Sequence, residues 1–125
     1  MVKDELKYTE THEWLKIHNS EATIGLTDYA QKELGDIVFI ELPEIGAELA
    51  AAEVLATVEA VKAVEEICIP ISAKIIDVNT NLADSPELIN SSPYKNGWIA
   101  KLEIINMDEI ENLLSADKYK QLIGE

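Results

Sequence analysis

Val54-Leu55-Ala56-Thr57-Val58-Glu59-Ala60-Val61-Lys62-Ala63-Val64-Glu65-Glu66-Ile67-Cys68-Ile69-Pro70-Ile71 is the stretch on which the fold turns. Val54 to Glu59 and Ile67 to Ile71 are strand-length runs of largely β-branched residues. Between them, Glu59 to Glu66 is ambiguous by itself, since it holds good helix formers and no turn glycine. A hairpin is preferred because strong strands bracket the segment at a short interval. Lys62 then stands at its tip, between Val61 and Ala63.

Outward from this hairpin, short β-like runs continue over the first hundred residues. Ala22 to Gly25, Ile37 to Leu42, Lys74 to Val78 and Trp98 to Ile104 read as strands, several alternating apolar with polar as a half-buried sheet requires. Pro43 ends the second of these, and Gly46 turns the chain. A short helix is expected over Asp28 to Leu34, with Thr27 or Asp28 as its cap, Gln31 three residues after Asp28, and Gly35 as the stop. After Ile105 the period becomes helical. Asn106 with Glu109 resembles a capping box, followed by Ile110, Leu113 and Leu114; Ser115 caps a second short helix carrying Ala116, Tyr119 and Leu122. The expected fold is mainly β, a small sandwich or flattened barrel with short peripheral helices and a C-terminal helix. One domain covers residues 1–125, with no linker or low-complexity segment.

The chain is long enough to bury roughly two-thirds of its unfolded surface without disulfides or metal. Ten basic residues against 24 acidic ones leave a formal charge of −14. Such a surface repels phosphate backbones and anionic lipid heads, so neither nucleic acid nor membrane is expected as a partner. It suits docking on basic protein patches, and it also simply aids solubility. Cys68, the single cysteine, excludes an internal disulfide and a Cys-based zinc site, and its apolar run suggests a buried strand thiol. The N-terminus has neither the apolar core of a secretory signal nor the arginines of a transit peptide, which points to the cytoplasm.

No phosphate-binding glycine loop, nucleophile elbow or metal-ligand spacing is present. His12 and His18 fall short of the three or four ligands a zinc site needs. Glu65-Glu66 and Glu109 with Glu111 read as solvated acids. No enzyme and no metal site is expected. Lys62 differs in its setting. An amine at a hairpin tip is open to an acylating enzyme, its four-carbon stem adds reach, and its small neighbours leave it clear. Tethering a group there makes each transfer nearly intramolecular, at effective concentrations on the order of millimolar. Taken alone, though, an exposed lysine is ordinarily just solvated.

Thr11-His12-Glu13-Trp14 resembles the opening of the glycine cleavage system H protein family. So do Ile24 to Gln31, Leu34 to Val38 and Glu41 to Gly46, while Val58-Glu59-Ala60-Val61-Lys62-Ala63 resembles that family's lipoyl-lysine motif. Val78-Asn79, Pro86 to Asn90, Ser92 to Tyr94 and Gly97-Trp98 follow in family order. The resemblance covers about residues 7 to 123, and several segments in register are far more specific than any one.

That resemblance implies a lipoyl/biotinyl-type β-sandwich of two hairpin-rich halves, with lipoate in amide linkage on Lys62. It implies a non-catalytic carrier that takes an aminomethyl group from the pyridoxal-phosphate glycine decarboxylase (P protein) to the tetrahydrofolate-dependent aminomethyltransferase (T protein). Dihydrolipoyl dehydrogenase (L protein) then reoxidises the dithiol, and a lipoate ligase or lipoyl/octanoyl transferase loads the arm. In the family the loaded arm folds into a cleft on the carrier, and Glu13 and Glu66 match positions there that would hold its amine. A carboxylate about 4 Å from an ammonium contributes ~4 kcal/mol at an effective dielectric of about 20. Glu59 and Glu65 border the lysine and would guide partners, Trp14 and Trp98 would be core or cleft walls, and a monomer suits a shuttle.

Three positions depart from the family pattern. Ala60 stands for the usual serine, and Ala52 and Ala73 for glycines expected at turns with positive φ, where alanine is strained by about 1 kcal/mol. These leave open a divergent lipoyl carrier or lipoate donor serving 2-oxoacid dehydrogenases or sulfur metabolism, and an unmodified interaction domain. Biotin carriage is disfavoured because Val61 and Ala63 replace the methionines usual beside a biotinyl lysine.

Overall fold

The computed structural model describes residues 2–125. In chain order the elements are β1 (Lys7–Tyr8), β2 (Glu13–His18), β3 (Glu21–Leu26), α1 (Asp28–Leu34), β4 (Ile37–Glu41), β5 (Glu48–Leu49), β6 (Val54–Ala60), β7 (Val64–Cys68), β8 (Ala73–Val78), α2 (Asn81–Asp84), α3 (Leu88–Ser91) and β9 (Ala100–Ile104). A 3₁₀ turn, Met107–Asn112, and α4 (Ala116–Ile123) complete the chain. The strands form a six-stranded sheet, β1-β2-β3-β9-β8-β5, and a three-stranded sheet, β4-β6-β7, with every pairing antiparallel. This is the mainly β architecture expected from the sequence.

Alternation explains the core. Ile24, Leu102 and Ile75 from the larger sheet meet Ile40, Val58 and Ile67 from the smaller one, and Leu34 of α1 joins them. A second cluster forms where Tyr8 stacks on Tyr119 at 4.5 Å and Trp14 packs nearby. Trp14 is thus core, while Trp98 is half-buried with Lys101 Nζ 5.3 Å over its ring.

The expected helix ends hold. Thr27 accepts the Ala30 N–H, Gln31 reaches Asp28 Oδ1 at 2.9 Å, and Gly35 closes α1 at φ 76°. Ser115 caps α4 by accepting the Lys118 N–H.

Several boundaries differ from the sequence expectation. The strand expected at 67–71 runs from Val64 to Cys68, because the ladder with β6 already begins at Glu59 opposite Val64; Ile69, Pro70 and Ile71 leave the sheet, and proline has no N–H for a ladder. Cys68 is correspondingly exposed rather than buried. The helix expected after Asn106 is 3₁₀, although Asn106 does cap it through the Asp108 N–H. Strands β1, β2 and β5 and the single-turn helices α2 and α3 were not foreseen. Among the described residues no helix is long and apolar enough to cross a membrane.

Candidate functional site

The hairpin resolves the ambiguity of Glu59 to Glu66. The Ala60 N–H donates to the Ala63 carbonyl at 2.8 Å, leaving Val61 and Lys62 as a two-residue tip. Neither tip residue has positive φ, so the turn needs no glycine or asparagine, unlike the primed turns usual in such hairpins. The tip is also clamped from the side: the Val61 N–H donates to the Asp36 carbonyl at 2.9 Å. Lys62 is exposed, and its methylenes lie over Gly35, where an added Cβ would meet them at 3.5–3.6 Å. The amine therefore has a fixed base and an open approach.

Beside this hairpin a cleft of about 340 Å³ opens between β7, the start of β2 and α1. Leu26, Leu34 and Ile67 give it an apolar floor, and Glu33, Glu65, Glu66 and Cys68 lie on its lining. Glu13 is the buried acid of the set, only 3% exposed. Its Oε1 accepts from the Thr9 hydroxyl at 2.8 Å and from the Thr11 hydroxyl at 2.6 Å. Burial pushes its carboxyl up to about 7, with the Glu65 charge adding to the rise; the Thr11 and Thr9 hydrogen bonds hold it back. The cleft thus offers an apolar bed with a carboxyl group that a cation would ionise.

The structure brings Glu13, Glu65 and Glu66 to this cleft, and Glu59 apart from it. Glu59 pairs with Phe39 and Val64 on the outer face of the smaller sheet. Thr9, Thr11, Glu33 and Cys68 were not read from the sequence as parts of this site. His12, at φ 72°, has its Nδ1 2.9 Å from the Tyr119 hydroxyl. Among the described residues no group of three His, Cys, Asp or Glu side chains could hold a metal ion.

The departures near the lysine separate into different cases. Ala52 is at φ 78° in a turn where the Glu53 N–H meets the Ala50 carbonyl, so its strain is present as expected. Ala73 corrects the expectation. It opens β8, paired with Leu49 and Ile104, fully buried and outside the positive-φ set. Ala60 ends β6 opposite Ile37 of β4, half-buried and packed against the core.

Comparison with known proteins places this geometry in context. The family model for the glycine cleavage H-protein matches residues 6–125. A glycine cleavage system H protein of Staphylococcus epidermidis is 54% identical over 124 residues, 99% of this chain and 98% of the relative. One from Staphylococcus haemolyticus is 48% identical over the same coverage. The crystal structure of a glycine cleavage system H protein from Mycobacterium marinum superposes with a TM-score of 0.91 at 33% identity, covering 99% of this chain and 100% of that one.

Proposed function

The chain belongs to the glycine cleavage H-protein family, and from that premise we propose that Lys62 is its point of covalent lipoyl attachment and the adjoining cleft the resting place of the loaded arm. The chain is a carrier component of glycine cleavage, not a catalyst by itself. Held on Lys62, a lipoyl group would supply a redox-active disulfide for carrying an aminomethyl group between glycine decarboxylase (P protein) and the aminomethyltransferase (T protein), with dihydrolipoyl dehydrogenase (L protein) as the oxidising partner.

What this chain supplies is position and shelter. The observation that carries the reading is the exposed Lys62 on a turn held by Asp36, directly beside a cleft whose buried acid is Glu13. Its volume lies in the range of small-molecule pockets, ~300–1,000 Å³, so a short prosthetic arm fits. Leu26, Leu34 and Ile67 exclude water from such a guest. Glu13 yields its proton and stands opposite the guest's amine, with Glu66 at the rim as a second carboxylate. Glu59 and Glu65 present negative charge to incoming enzymes. A lipoate ligase or lipoyl/octanoyl transferase loads the lysine. The carrier is a cytoplasmic monomer, as suits one turn that must enter several active sites in succession.

Intact-mass measurement after incubation with lipoate, ATP and a lipoate ligase tests the attachment. The wild-type chain gains one lipoyl group and Lys62→Arg gains none; a gain by the variant would move the site elsewhere. Glycine–bicarbonate exchange with the decarboxylase then tests the pathway, and a fully lipoylated yet inactive carrier would overturn it.

A further inference from the structure

The outer face of the smaller sheet carries Phe39 and Val64 on either side of Glu59 immediately below the Lys62 turn. Phe39, Glu59 and Val64 are direct partners across β4, β6 and β7. The neighbouring row, Ile40, Val58 and Glu65, turns into the core side, with Ile40 and Val58 buried. Alternation therefore sends Phe39 and Val64 outward, and they remain 49% and 64% exposed, with Val61 above them at 71%. One row further from the turn, Glu41, Thr57 and Glu66 follow. Next to the lysine the face thus sets two exposed apolar side chains about one carboxylate, with Glu41 one row behind.

Building on the reading of Lys62 as the attachment site, we propose that Phe39, Val61 and Val64 form the docking ledge for the enzyme that acylates this lysine. That enzyme presents an apolar shelf flanked by Lys or Arg side chains. The argument is one of reach. An acylating enzyme brings the activated carbonyl carbon to Nζ itself. The C–N amide bond forms, the acyl–oxygen bond of an acyl-adenylate breaks, the adenylate leaves with the electron pair, and the amine gives up a proton. Glu59 lies three residues from Lys62, at most ~10 Å of extended strand. A standard interface covers about 800 Å² per partner, so a footprint centred on the lysine takes in the whole row. An enzyme that works at the far end of a loaded arm stands further off and is free of this constraint. Charge gives the complement: Glu59 lies within the ledge and Glu41 behind it, in a chain of net charge −14.

Lipoylation kinetics with lipoate, ATP and a lipoate–protein ligase test this, with mass spectrometry as readout. Phe39→Thr and Val64→Thr keep β propensity on an exposed face. Each is expected to lower kcat/KM for lipoylation by about tenfold, the loss expected of a buried interface anchor, and chiefly through KM. Val64→Ile restores the rate. Ile45→Thr, an equally exposed apolar position away from the ledge, leaves it unchanged. Variants driven to full lipoylation at high ligase concentration are reduced by NADH through dihydrolipoyl dehydrogenase, run in reverse, within about twofold of wild type, which separates loading from later use and reports an intact fold. Wild-type kcat/KM in both threonine variants, or an equal loss in Ile45→Thr, overturns the ledge while leaving Lys62 as the attachment site. No lipoylation of the wild-type chain overturns both.

Discussion

Glu13 shows how one buried residue ties stability to pH. In the folded chain its carboxyl stays protonated up to about 7, against an ordinary value of 4.5. Since the folded value is the higher, folding keeps a proton that the unfolded chain gives up. Stability from this group is complete below about 4.5 and is lost as pH rises through about 7, by about 3 kcal/mol. Glu13→Gln lacks this penalty. Urea unfolding should find variant and wild type alike at pH 4 and the variant more stable by a few kcal/mol at pH 8; a constant gap would refute the linkage. Ala52 gives a second test. Its φ of 78° suits glycine, so Ala52→Gly is expected to stabilise by about 1 kcal/mol and raise Tm by a few degrees in a thermal melt. The exposed place of Lys62 at a hairpin tip was legible from the strands that bracket it, and the cleft position of Glu13 from the resemblance. Thr9 and Thr11 were not, because their role depends on a turn at His12 that no local signal marks. Ala73 misled for a related reason: absence of glycine said nothing of whether the turn itself was still there.

At the scale of elements, α4 braces the cleft from outside. Tyr119 donates or accepts at two points, 2.7 Å from the Thr27 hydroxyl that caps α1 and 2.9 Å from His12 Nδ1, while its ring stacks on Tyr8. Tyr119→Phe keeps the stack and removes both polar contacts. A loss of about 1–3 kcal/mol is expected in chemical denaturation, the range for polar groups left unpaired in a protein interior. The helix ends were readable because caps are local chemistry: Thr27, Gly35 and Ser115 act within a few residues. Strands were readable where they alternate. Strand β2 was not, since Glu13, Trp14 and Leu15 are all buried, with the second aromatic cluster covering the side that water would otherwise hold. Strand β7 hid behind Val64-Glu65-Glu66, because charged residues on an edge strand mask its pattern while discouraging unwanted pairing. Strand β5 is two residues beside an alanine run, too short for any periodicity.

Over the whole molecule, 24 acids against ten bases set the terms of encounter. Association with basic active-site mouths should be fast at low salt and fall as ionic strength rises, since screening lengths shrink to about 8 Å at 0.15 M. The apparent KM for this carrier in the decarboxylase reaction is therefore expected to climb several-fold between low and physiological salt, with kcat little changed. A flat salt profile would mean that shape alone guides docking. The tip of the β6–β7 hairpin has a different consequence. Its backbone is tied to Asp36 and its lysine stem leans on Gly35, so a group attached to Lys62, as proposed, would move as a boat at a mooring moves, about a stationary point. The volume it can sweep follows from tether length alone, and a distant loop cannot enlarge it. Any enzyme served by this chain must bring its own reaction centre inside that fixed radius.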